Sequence, residues 1–196
     1  DTTNNPNMQV LIRKNANFAF RIAFAITIPA AVGLAVLNND VYTLLYQSDR
    51  GAYIMQYGSF ILIFTAIAQL QSVILQGISQ FYPMILSFSV GIILKIIANY
   101  ILVGIPSINI LGVLVGNFLC YLAPVIINHK ILTKSIRYKI PLIRNCVKPI
   151  IASIVMAVVI IVLKQPIAII SVFIGSSRAL MYLYTLVYTL ILVGIG

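Results

Sequence analysis

Acid is what this sequence lacks most. Its 196 residues hold three carboxylates, Asp1, Asp40 and Asp49, against thirteen lysines and arginines, for a net charge of +10. A cation antiporter or proton-coupled drug exporter normally needs a titratable carboxylate inside the membrane to bind and release its coupling ion. None of the three acids stands within a long apolar run. Histidine is almost as scarce: His129 is alone, with no second histidine or acid at metal-ligand spacing, so a metal centre is not supported. The two cysteines, Cys120 within one apolar run and Cys146 at the edge of the next, give no disulfide framework. There is no nucleophile elbow, no phosphate-cradling glycine loop and no carboxylate pair, so enzymatic chemistry has no support and no cofactor is implied.

What is there is apolar. Hydrophobic residues make up 61% of the chain and charged residues 8%, which is the composition of an integral membrane protein. The runs do not alternate in polarity as membrane strands would. Many are long enough to cross a hydrocarbon core of about 30 Å at about 1.5 Å per helical residue. The expected fold is therefore all-α, a polytopic transmembrane helix bundle of about six spans within a single membrane domain over residues 1–196. The spans fall at about 18–37, 53–77, 83–104, 108–127, 147–163 and 180–196. Ile167 to Gly175 is a further apolar run after Pro166, lying in the interface or opening the last span.

Lysine and arginine collect in cytoplasmic loops. The segment 128–148 carries Lys130, Lys134, Arg137, Lys139, Arg144 and Lys148, so it is expected to be a cytoplasmic loop. Counting back places the amino end, with Arg13 and Lys14, on the same side, and Asp40 and Asp49 outside. A nucleic-acid partner is not expected, because the charge belongs to a loop between spans and not to a basic face interleaved with stacking aromatics. The loop suits membrane lipids with anionic headgroups.

Against this background Lys95 stands out in the middle of the third span. It is about 18 Å along the helix from Pro83 and about 14 Å from Gly104, too far for easy snorkelling to either surface. Ser87, Gly91, Lys95 and Asn99 recur every four residues and share one helix face. A polar, small stripe on an otherwise apolar helix faces protein or water, and a cation is hard to satisfy by packing alone, so Lys95 is read as lining a cavity that suits an anionic substrate. The second span has a similar stripe of Thr65, Gln69, Ser72 and Gln76, with Gln71 off this face. It either hydrogen-bonds a neighbouring helix or lines the same wet space. Arg21 snorkels from the end of the first span or joins the cavity, and Gly112 with Gly116 offers a close-packing face. The cavity candidates are Lys95, Asn99, Ser87, Gln69, Gln76 and Arg21.

Several of these residues sit in familiar words. Ile28-Pro29-Ala30-Ala31-Val32-Gly33-Leu34, Leu44-Leu45-Tyr46, Ile74-Leu75-Gln76-Gly77-Ile78 with Pro83, Leu94 to Leu102 around Lys95 and Asn99, and Ile110-Leu111-Gly112 resemble the carboxyl-terminal half of bacterial polysaccharide and lipid II flippases. These belong to the multidrug/oligosaccharidyl-lipid/polysaccharide exporter superfamily, and the pattern resembles the branch containing the stage V sporulation protein B type and the lipid II flippase type. The resemblance runs from about Ile22 to about Lys134. It implies half of a two-lobed exporter fold in the bacterial cytoplasmic membrane, with two six-helix lobes rocking around a central cavity. The substrate implied is a lipid-linked saccharide, an undecaprenyl-pyrophosphate-linked cell-wall precursor, and the partner implied is an amino-terminal lobe missing from this chain. A chain that opens on Asp1 and closes on Gly196 inside an apolar run is expected to be a fragment, and half a cavity is not expected to transport alone. A multidrug antiporter of the same superfamily and a non-transporting membrane scaffold are the alternatives.

Overall fold

The computed structural model describes residues 6–48, 50–105, 110–138 and 140–173. Among these residues every regular element is a helix: α1 Pro6–Val36, α2 Asn38–Tyr46, α3 Ala52–Gly77, α4 Phe81–Val103, α5 Ile110–Ile136 and α6 Leu142–Phe173. All but α2 are long and apolar enough to cross a membrane. The expected sixth span, 180–196, lies outside the described residues.

The helices outrun the spans that hydropathy marks out. α1 begins at Pro6, not near residue 18, and α5 continues past 127 to Ile136, so Lys130 and Lys134 stand on helix and not on a loop. α6 starts at Leu142 and runs on to Phe173 without the break expected after Pro166. The reason is that hydropathy marks where side chains leave the apolar layer, whereas the i to i−4 backbone ladder continues until a cap stops it. α3 ends in such a cap: Ser79 adopts φ 61°, Gln80 N–H reaches Leu75 O at 2.8 Å, and Ser79 N–H reaches Gln76 O at 3.0 Å. This is a Schellman closure with serine in the left-handed position that glycine usually takes.

Contacts divide the chain into two compact units. The first combines Asp1–Thr27 with Ile61–Cys146. It buries Phe20, Phe24, Leu75 and Leu132 almost completely, and Phe64 meets Phe118 edge-on at 4.8 Å between ring centroids. Within it α4 packs on α5.

The second unit combines Ile28–Phe60 with Val147–Gly196. Its core joins Leu37 and Ile160, with Val36, Val41 and Met156 around them. A methyl at Gly33 would lie 3.6 Å from Met156 Cε, ordinary contact distance, so the packing here does not demand glycine. Asn38 at the start of α2 donates to Ala52 O at 3.2 Å and ties the short helix to the start of α3.

Between 17% and 33% of each span's most apolar stretch is buried, so most of it faces outward. Side chains such as Tyr100, Tyr82, Ile96 and Ile26 are largely exposed, which is the surface of a chain solvated by lipid or by further membrane helices.

Candidate functional site

The stripe of Ser87, Gly91, Lys95 and Asn99 faces α5. On α5 a second row recurs at the same spacing, Gly112, Gly116, Cys120, Pro124 and Asn128, and every member but Cys120 is buried. Two such i, i+4 rows form ridges and grooves that interdigitate. The contacts follow an antiparallel register in which each step of four along α4 meets a step of four backward along α5. Ser87 Oγ lies 2.6 Å from Asn128 Oδ1. A Cβ on Gly91 would collide with Cys120 O and come 3.1 Å from Pro124 Cδ. One on Gly116 would collide with Asn99 Oδ1 and stand 3.4 Å from Lys95 O. One on Gly112 would stand 2.8 Å from Leu102 Cβ.

Lys95 occupies the step between the Gly91 and Gly116 contacts, where its backbone is held against α5 while its side chain is half-buried. It makes no ion pair or hydrogen bond among the described residues. Asn99 is also half-buried, and its Oδ1 is fully enclosed without a donor among the described residues. Ser87 is completely buried. Its hydroxyl proton is shared between Asn128 Oδ1 and Met84 O, 2.7 Å away. The sequence stripe is thus a helix-packing seam with one cation emerging from it.

The α3 residues separate from one another. Gln69 and Gln76 are exposed, and Gln76 reaches Met84 Sδ at 3.2 Å. Ser72 and Thr65 each donate back to their own helix, to Ala68 O at 2.7 Å and Ile61 O at 3.0 Å. The fully buried amide is Gln71, which the stripe left out. Neither its Oε1 nor its Nε2 has a partner among the described residues. Asn128 is likewise fully buried, with Nδ2 unpartnered among the described residues. Its signal was available: it continues the four-residue row from Gly112.

Arg21 belongs to a different arrangement, the row Gln9, Arg13, Asn17 and Arg21 on α1. Arg13 caps α5: its Nε and Nη2 donate to Ile136 O at 3.1 and 2.8 Å, and Nη2 also reaches Arg137 O at 3.3 Å. The carbonyls at a helix end lack partners inside the helix, and a cation there also meets the negative end of the dipole. Arg137 turns left-handed at φ 51° to end α5, and the Tyr138 ring lies under the Arg13 guanidinium at 5.6 Å. Asn17 Nδ2 donates to the Tyr138 hydroxyl at 3.0 Å. Arg21 itself is exposed and donates from Nε to Asn145 Oδ1 at 3.4 Å. Among the described residues no three of His, Cys, Asp and Glu come together, and His129 lies along α5.

No family model matches the chain, and no solved structure matches it. Among curated proteins, the lipid II flippase MurJ of Bacillus subtilis (strain 168) is 26% identical to it over 118 residues, 58% of this chain. The match covers 21% of that protein, so the chain spans about a fifth of the length of the curated relative it matches. With five helices able to cross a membrane, the chain is a multi-pass membrane protein similar over more than half its length to a lipid II flippase.

Proposed function

We propose that this chain is part of a membrane flippase that moves an undecaprenyl-pyrophosphate-linked cell-wall or polysaccharide precursor across the bacterial cytoplasmic membrane by alternating access. In this reading it works with an amino-terminal lobe, and the cation of Lys95 contributes to holding the anionic headgroup in a cavity between the lobes. The observation that carries the proposal is the similarity to a lipid II flippase over 118 residues. The chemistry of Lys95 supports it: the residue lies deep in a span, half-buried, with no acid to neutralise it among the described residues. A mid-membrane ammonium without an internal partner is expensive and is retained where an anion or water meets it.

The test is complementation. A full-length gene whose product joins an amino-terminal lobe to this chain, expressed in cells depleted of their lipid II flippase, restores growth, and its Lys95→Ala variant at equal membrane abundance does so poorly. Failure of the wild-type gene overturns the flippase reading; growth as good with the variant overturns the role given to Lys95.

A further inference from the structure

Two arginines on the same row of α1 end up in opposite circumstances. Arg13 is surrounded by acceptors, the carbonyls of Ile136 and Arg137 and the amide oxygen of Gln9. Arg21, two turns deeper, has one long contact to Asn145 Oδ1 and otherwise no partner among the described residues. The amide it touches is also incomplete: Asn145 is 6% exposed, and its Nδ2 is enclosed with no acceptor. Side chains in a helix lean toward its amino end, so this amide lies beside the first turn of α6. That turn holds no acid, and it adds the positive end of a long helix together with the exposed Arg144. Two N–H groups of that turn are already used, Leu142 N–H by Ile140 O and Asn145 N–H by Pro141 O, so the donors that gather here are the Arg21 guanidinium beyond its one long bond, the Asn145 NH₂ and the N–H groups of Ile143 and Arg144.

We propose that Arg21, Asn145 and the first turn of α6 form a binding site for the phosphate of a membrane lipid. The guanidinium offers the planar fork that phosphate oxygens accept bidentately, and the buried amide and helix end supply the remaining donors. Arg21 lies on a membrane span about 12 Å beyond Arg13, a depth that a phosphate carried on a lipid reaches more readily than a free ion in water. The bound phosphate belongs either to a glycerophospholipid or to a polyprenyl pyrophosphate. The site does not rest on the transport reading.

Native mass spectrometry of the purified chain in detergent tests the site, with phosphatidylglycerol and undecaprenyl pyrophosphate as probes and diacylglycerol as a phosphate-free control. Wild type retains at least one phosphate-bearing lipid and not diacylglycerol; whichever probe is held more tightly identifies the source. Arg21→Gln, which keeps a donor toward Asn145 but removes the charge, weakens retention about tenfold, in the range of a charge-assisted bidentate contact. Asn145→Asp gives Arg21 an internal carboxylate and weakens retention as much while the thermal midpoint holds or rises. Equal retention of phosphate-bearing lipid by wild type and both variants, equal retention of diacylglycerol by wild type, or no lipid retained at all overturns the proposal.

Discussion

Ser87 on α4 and Asn128 on α5 meet at 2.6 Å in a place where neither side chain has any exposed surface. They are forty-one residues apart in sequence and form the sole side-chain to side-chain hydrogen bond across the α4–α5 seam among the described residues. In lipid the seam cannot draw on the hydrophobic effect, so close packing and this bond do much of what holds the two helices in register.

Removing the hydroxyl leaves the Asn128 amide with neither oxygen nor nitrogen paired. Ser87→Ala is expected to destabilise the fold by about 1 kcal/mol, between the roughly 0.6 kcal/mol average for interhelical bonds in membranes and the larger penalty for an orphaned buried amide. Ser87→Ala with Asn128→Leu recovers part of that loss. Denaturation in mixed micelles, followed by far-UV circular dichroism, measures both.

The seam glycines are predicted to differ among themselves. Gly91→Ala drives a methyl into the Cys120 carbonyl and Pro124 ring, groups that cannot swing aside, whereas Gly116→Ala meets the end of the Asn99 side chain. Gly91→Ala should cost about 1–3 kcal/mol and Gly116→Ala less. Gly77, with nothing within 4 Å of a Cβ, tolerates alanine. A thermal-shift series in one detergent ranks the three.

Arg13 should resist conservative exchange. Two of its nitrogens converge on Ile136 O, a geometry that a lysine ammonium does not reproduce. Arg13→Lys and Arg13→Ala are both expected to cost about 1.5–3 kcal/mol, the range of hydrogen bonds to charged groups. Hydrogen exchange at the last turn of α5 reads the effect locally, and protection there equal to wild type in both variants refutes it.

Lys95 is predicted to separate stability from activity. A half-buried cation without a counter-ion among the described residues is a cost to the fold, so Lys95→Met should leave the thermal midpoint unchanged or raise it while the complementation expected under the proposed function falls. A structural role for the ammonium predicts the opposite order, a lower midpoint with activity falling in step.

Helix content and the apolar spans were legible in the sequence because membrane length and hydropathy are read directly from composition. The four-residue stripe around Lys95 was legible too, as a face, but a face in sequence does not say what it meets. Ser87 and Gly91 belong against α5 because Asn128, Pro124 and Cys120 occupy matching positions forty or so residues on, a long-range fact that no local spacing contains. Gln71 falls off the Gln69–Gln76 row, so no local spacing marks it, yet it is the α3 amide with no exposed surface. Hydropathy marks membrane spans and not helix ends, because polar residues do not stop a helix. Lys130 and Lys134 lie one turn apart on continuing helix, and the stop is the left-handed turn at Arg137, for which the sequence has no glycine to advertise it.

The reach of α5 gives those lysines a fixed address. Twenty-seven residues of helix measure about 40 Å, some 10 Å more than a hydrocarbon core. Arg13 clamps the far tip at Ile136. Lys130 and Lys134 are therefore carried on a stiff stem at a set height and bearing over the bilayer, and not on a tether that samples the surface. An approaching anionic headgroup meets a charge held ready for it, and the cost of ordering that charge was met when the helix folded.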